Sequence, residues 1–230
     1  MLLLFDIDGT LVLGATDAHR DALYAALHAV HGVDATAVRR PIAPAGRTDG
    51  EIARALLLDA GVSAARIDER ADAVREECCR IYAQLCTEDL SHTVLPGVRE
   101  LLDWLAARDN VVLGLLTGNY EAVARLKLAK AGLGGYFPSD QGAFGSDDED
   151  RAALPAIARR RAGTTGTPYP RSMTIVIGDT PRDIACAKAD GVQCIAVATG
   201  PYDIDALAGA DVIVRDAPEL QAALAVELAA

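Results

Sequence analysis

The chain has 230 residues, 51% of them hydrophobic, and a formal net charge of −11. That is enough for one full core plus a smaller domain. The acidic balance excludes nucleic acid and anionic membranes as expected partners, because both attract basic surfaces. No apolar run approaches the roughly 18 residues of a membrane span, and the N-terminal run of Leu and Phe is too short for a secretion signal. The five cysteines, Cys78, Cys79, Cys86, Cys186 and Cys194, lack metal-type CxxC spacing and read as reduced thiols, so a cytoplasmic protein is expected.

The first predicted element is a strand over Leu2–Ile7, continuously apolar until Asp6 and followed by Asp8, Gly9 and Thr10. From about Gly14 to Leu90 the pattern is helical. Leu23, Ala26, Leu27 and Val30 form one stripe, a second helix covers Thr48 to Ala60, and Ile67, Ala71, Val74, Cys78, Ile81 and Leu85 form a third face. Val98, Leu101, Leu102 and Leu105 then form a helix opened by Pro96 and Gly97. A strand over Val111–Thr117 and a helix from Tyr120 to Ala131, stopped by Gly132, come next. The acids Asp147–Asp150 look like the first turn of a helix continuing to Ala162, where they suit the helix dipole. Arg159, Arg160 and Arg161 suit its other end and need no further role. Strands follow at Thr174–Asp179, Cys194–Ala198 and Asp211–Val214.

Continuous apolar strands alternating with helices predict an α/β fold with a doubly wound, Rossmann-like parallel sheet, covered on both faces. The helical stretch interrupts it after the first strand. The expected organisation is therefore a discontinuous core, 1–14 plus 91–230, with a helical cap at 15–90.

In such sheets ligands bind at the carboxyl ends of the strands, and the polar residues that end these runs are the candidates. Asp6 and Asp8, two apart on an extended segment, can face one cavity. Asp179 ends another strand in VIGDTPRD, with Asp183 four residues on. Thr180, Pro181 and Asp183 also read as a capping box, which leaves a purely structural role open for Asp183. Carboxylates gathered at one edge repel each other and raise their own pKa values. A divalent cation resolves this, and an all-oxygen donor set with room for water suits Mg²⁺. In LLTGN, Thr117 with the bare amide of Gly118 suggests an anion cradle.

A phosphate also calls for a cation. The three lysines, Lys127, Lys130 and Lys188, all lie inside helices and are expected on solvated faces. Arg151 follows the acidic run, where the helix dipole disfavours it, so it is the candidate, although pairing with the neighbouring acids would also explain it. In the cap, Arg47 in the GRTDG turn is a candidate for substrate contact. His19 and Asn119 are weaker ones.

DIDGT at Asp6–Thr10, LLTGN at Leu115–Asn119 and GDTPRD at Gly178–Asp183, in this order and each after an apolar strand, resemble the haloacid dehalogenase superfamily of phosphatases. The likeness spans nearly the whole chain and is strongest to phosphoglycolate phosphatase-type members. It implies that Asp6 is the nucleophile that becomes an aspartyl phosphate, and that Asp8 is the general acid and base. It implies Mg²⁺ held by Asp6, Asp179 and the Asp8 carbonyl, with Asp183 in support. Thr117 and Gly118 would hold the phosphoryl oxygens. The family Lys before the fourth motif is best matched by Arg151, whose planar fork is not equivalent to an ammonium.

The expected activity is hydrolysis of a small phosphorylated metabolite by a monomer or weak homodimer. A phosphosugar mutase, or a fold-retaining binding protein with weak activity, are the alternatives. Asp8 argues against dehalogenation, and the absence of cap lysines argues against Schiff-base phosphonate cleavage. On this reading Arg151→Ala lowers turnover by orders of magnitude and Lys127→Ala does little.

Overall fold

Leu2, Leu3, Leu4 and Phe5 are wholly buried and form the first strand, β1 (Leu2–Phe5). The computed structural model describes residues 1–37, 42–86 and 89–229. β1 sits inside a parallel sheet with β2 (Val112–Thr117), β3 (Ala143–Phe144), β4 (Thr174–Gly178), β5 (Gln193–Val197) and β6 (Val212–Val214), in the order β3-β2-β1-β4-β5-β6. Phe5 lies opposite both Leu115 and Ile177. The exits of β1, β2 and β4 are thereby brought side by side at the point where the strand order reverses, which is where α/β sheets bind ligands.

Alternate residues of each strand face opposite ways, so two apolar layers explain the unbroken hydrophobic runs. Leu3, Phe5, Leu115 and Ile177 pack with α4 (Val98–Ala106), α5 (Glu121–Lys130) and α8 (Ala217–Glu227). Leu2, Leu4, Leu116 and Val176 pack with α6 (Leu154–Ala162) and α7 (Pro181–Asp190). The start of α7 is the capping box read from sequence: the Thr180 side chain accepts from the Asp183 N–H, and the Asp183 carboxylate accepts from the Thr180 N–H.

The helices α1 (Asp17–His31), α2 (Asp49–Asp59) and α3 (Ala64–Leu85) gather a third apolar cluster. Leu23 and Leu27, Leu56 and Leu57, and Val74 and Cys78 form it. It continues into Tyr120 and Val123, so these helices pack onto the start of α5, directly beside the β2 exit. No strand lies between residues 15 and 90 among the described residues. No helix of the described residues is long and apolar enough to cross a membrane, and all five cysteines are free thiols.

The structure departs from the sequence reading in four places. β1 ends at Phe5 and β4 at Gly178, so Asp6, Asp8 and Asp179 stand in the loops just beyond. The two-residue β3 was not foreseen, being too short to carry a periodicity. The acids Asp147–Asp150 are not a helical turn; a 3₁₀ turn at Arg151–Ala153 leads into α6 instead. These acids are drawn to specific partners: Asp147 accepts from the Phe144 N–H and pairs with Arg161, and Asp150 caps the Ala152 N–H. Arg159 also has a role beyond the dipole, as a buried bidentate partner of Asp190 at 2.6 and 3.0 Å.

Candidate active site

Asp6, Asp179 and Asp183 converge from the ends of β1 and β4 and the first turn of α7. All three are buried, and they offer carboxylate oxygens within 4.8 Å of one another. The loop after β1 is tight: the Leu11 and Val12 N–H groups both return to the Ile7 carbonyl. Gly9 turns it with φ +91°, and a Cβ there would lie 2.2 Å from Asp179 Oδ2. Only glycine lets the β1 loop approach the β4 carboxylate so closely.

Thr10 donates to Asp179 Oδ1 at 3.1 Å, whereas Asp179 Oδ2 is buried without a partner. Burial, with Asp6 and Asp183 adjacent, pushes Asp179 up to about 8. Burial raises Asp6 to about 6, Arg151 counteracting and Asp183 and Asp8 adding to the rise. Two carboxylates with raised pKa and an orphaned buried oxygen are what a hard cation would satisfy, so these residues fit a divalent metal. Asp183 is more committed. Its Oδ2 accepts from the Thr180 N–H and hydroxyl, and its Oδ1 from Arg151.

Arg151 is buried among these acids. Its Nη2 lies 2.5 Å from Asp183 Oδ1 and 3.3 Å from Asp6 Oδ1, while its Nε has no partner. Burial opposes its charge, but Asp183 and Asp6 outweigh that and raise its pKa further. The arginine is thus a fixed cation beside Asp6.

Lys127 overturns its expected place on a solvated face. It is fully buried, and its ammonium donates to both oxygens of Asp8, at 2.8 and 2.7 Å, and to Asn119 Oδ1 at 2.9 Å. Asn119 Nδ2 in turn donates to Asp8 Oδ2 at 3.1 Å. Asn119, expected to meet substrate, lines the cavity and uses its amide to fix Asp8. Burial alone would raise the Asp8 pKa, but the Lys127 charge and hydrogen bonds, with Asn119, bring it below the usual range. The missed signal was α5's own period: Val123, Ala124, Lys127 and Leu128 are its buried residues, and a lysine on that stripe needs a partner.

At the β2 exit the anion cradle is partly used by the protein itself. The N–H groups of Asn119, Tyr120 and Glu121 donate to Thr117 Oγ1, Asp49 Oδ2 and Ser146 Oγ. Gly118 serves a further purpose. Its carbonyl accepts from the Asp49 N–H at 2.8 Å, and a Cβ on it would sit 2.0 Å from the Arg47 carbonyl oxygen. This contact seats the start of α2 on the sheet edge, together with Thr48 Oγ1 donating to the Glu149 carbonyl and the Arg54–Glu149 ion pair. Gly118→Ala should therefore force the two backbones apart. It is expected to destabilise by about 1–3 kcal/mol, a fall in Tm of roughly 2–12 °C in thermal denaturation.

A cavity of about 370 Å³ opens above these groups, lined at one end by Asp6, Asp8, Gly118, Asn119, Arg151 and Asp179. Arg47 reaches its wall but is held by Glu51 and the Ala43 carbonyl. His19 is buried there, with Nε2 2.9 Å from Asp49 Oδ2.

A parallel sheet carrying a carboxylate loop after β1, a second carboxylate after β4 and an inserted helical layer puts an acidic, metal-competent site at the ligand-binding edge of the sheet. The chain belongs to the haloacid dehalogenase-like hydrolase family, whose model matches residues 1–191. It is an enzyme of the phosphatase kind within that family. It is 33% identical over 203 residues to a phosphoglycolate phosphatase of Rhodospirillum rubrum, covering 86% of this chain and 79% of that one. It is 30% identical over 218 residues to a phosphoglycolate phosphatase of Pseudomonas putida, covering 86% and 70%. Among solved structures the fold is similar to β-phosphoglucomutase from Clostridium difficile, with TM-score 0.66, 18% identity and coverage of 95% and 92%. It is also similar to a variant of CbbY from Rhodobacter sphaeroides in complex with xylulose-(1,5)bisphosphate, with TM-score 0.65, 21% identity and 95% coverage of each chain.

Proposed function

We propose that this enzyme hydrolyses a small phosphate monoester, with Mg²⁺, through an aspartyl phosphate on Asp6. The observation that carries the reading is the convergence of buried Asp6, Asp179 and Asp183, with Asp179 Oδ2 unpartnered, beside Arg151 and Asp8. The Asp6 and Asp179 carboxylates and the Asp8 carbonyl would hold Mg²⁺. Asp183 would stand behind them, since its oxygens already serve Thr180 and Arg151. Bound there, the ion would offset the carboxylate charge and polarise phosphoryl oxygens.

The chain's own residues supply the chemistry. An Asp6 oxygen attacks phosphorus as the bond to the alcohol oxygen breaks, and that oxygen takes up the proton the ester monoanion brings in, relayed through Asp8. Water then attacks the aspartyl phosphate, Asp8 takes the water's proton, and inorganic phosphate leaves with Asp6 restored. Lys127 favours the carboxylate form of Asp8, the form this second step needs. Arg151 accompanies the charge on the transferring phosphoryl group, and the Thr117 hydroxyl and Gly118 N–H are assigned to its oxygens. Residues 1–14 and 91–230 make up the proposed core, with 15–90 as a cap that excludes bulk water. Phosphoglycolate, in the names of both relatives, is one ester of this class.

The test is phosphate release from an aryl phosphate with Mg²⁺, before and after chelation, with acid-quenched protein mapped for hydroxylamine-labile phosphate. Release that stops on chelation, with the label on the peptide containing Asp6, is expected. Release indifferent to chelation, or a label elsewhere, would sink the reading.

A further inference from the structure

The cavity is not lined by polar groups alone. Its lining also carries Val12, then Leu23 and Tyr24 of α1, Ile42, and Ile52 and Leu56 of α2. Val12, Leu23 and Leu56 are buried in the protein's own packing, so this wall is fixed.

The cations on the lining are all engaged, among the described residues. Arg47 binds Glu51, Arg20 binds Asp17 and Asp21, His19 meets Asp49, and Arg151 binds Asp6 and Asp183. A second anionic group on the substrate, such as the carboxylate of phosphoglycolate, would meet no unpaired cation among the described residues there. It would instead lie between hydrocarbon and the carboxylates of Asp8 and Asp49, where an uncompensated charge is strongly disfavoured. An apolar body would displace water from a wall that cannot hydrogen-bond it.

We infer that, given the phosphatase reading above, the preferred substrate is a phosphate monoester of an alcohol bearing an uncharged aliphatic or aromatic body, not a phosphorylated carboxylic acid. His19 with Asp49 leaves a polar spot near the reacting end for one hydroxyl of such an alcohol.

The experiment compares kcat/KM for phosphoglycolate, propyl phosphate and benzyl phosphate on the full chain with Mg²⁺. Benzyl phosphate is expected to exceed phosphoglycolate by at least about tenfold, with propyl phosphate between them, in line with what apolar pockets discriminate. Ile52→Arg, which brings a cation to the wall, should lower the benzyl-to-phosphoglycolate ratio, and an unchanged ratio would remove the wall as its source. Phosphoglycolate as the fastest substrate of the parent enzyme would overturn this inference and leave the phosphatase reading intact. Failure to hydrolyse any of the three would overturn both.

Discussion

Lys127→Met should destabilise the protein by about 3 kcal/mol and lower alkyl phosphate turnover by about 10²-fold. The Lys127 ammonium has no exposure, and its hydrogen bonds run to Asp8 and Asn119. Removing it leaves the Asp8 carboxylate near Asp6 without its counter-charge. Breaking a buried pair costs about 3–5 kcal/mol, and the lower end applies because the Asp8 side chain is 25% exposed. For a chain of this size that is a fall in Tm of roughly 6–12 °C.

The loss of turnover has a separate origin. Asp8 would no longer be fixed for proton transfer, a contribution of about 10²–10⁴ in general. A double variant separates the two effects. Asp8→Asn with Lys127→Met removes both charges together, so most of the stability should return while turnover stays low. Thermal melts and alkyl phosphate kinetics on the four proteins make the check. If the double variant is no more stable than Lys127→Met alone, the pairing does not carry the stability assigned to it.

What the sequence disclosed and what it hid follow one physical distinction. β1, β2 and β4 were legible because strands buried on both faces need unbroken apolar runs, and Asp6, Asp8 and Asp179 stood out as charges ending such runs. The capping box at Thr180–Asp183 was legible because it is local. Lys127 was misread. It was expected on a solvated face; its place on the stripe of Val123, Ala124 and Leu128 was the overlooked sign of burial, and its partner is Asp8, 119 positions away. The pairings of Arg159 with Asp190 and Arg54 with Glu149, and the seat of α2 on Gly118, are likewise contacts between distant segments. Local pattern marks where a charge or a glycine is unusual. It does not say what the fold will bring against it.

Asp179→Asn should leave the metal-free protein at least as stable as its parent at pH 8.5 while removing its response to Mg²⁺ and nearly all turnover. In the metal-free chain Asp179 is pushed up to about 8 and Asp6 to about 6, mainly by burial, whereas unfolded carboxylates titrate near 4. Between roughly pH 4 and 8 the folded state therefore holds protons that the unfolded state has released. Stability falls with rising pH wherever the folded state binds more protons. The contribution is full below about pH 4 and lost as pH passes the folded values. The metal-free parent should thus melt lower at pH 8.5 than at pH 5.5, and the Asn variant should show a shallower decline because one of the two groups no longer titrates.

On the proposed metal reading Mg²⁺ should reverse the trend in the parent, since it would compete with those protons and bind the carboxylates as anions. Its stabilisation should grow from pH 5.5 to 8.5 in the parent and be absent in the variant. Loss of the ion's several kcal/mol of charge stabilisation corresponds to a fall in turnover of about 10³ or more. Melting curves with and without Mg²⁺ at the two pH values test the whole chain of reasoning. A parent protein whose Mg²⁺-induced shift is the same at both would show that protons and the cation do not compete at Asp179.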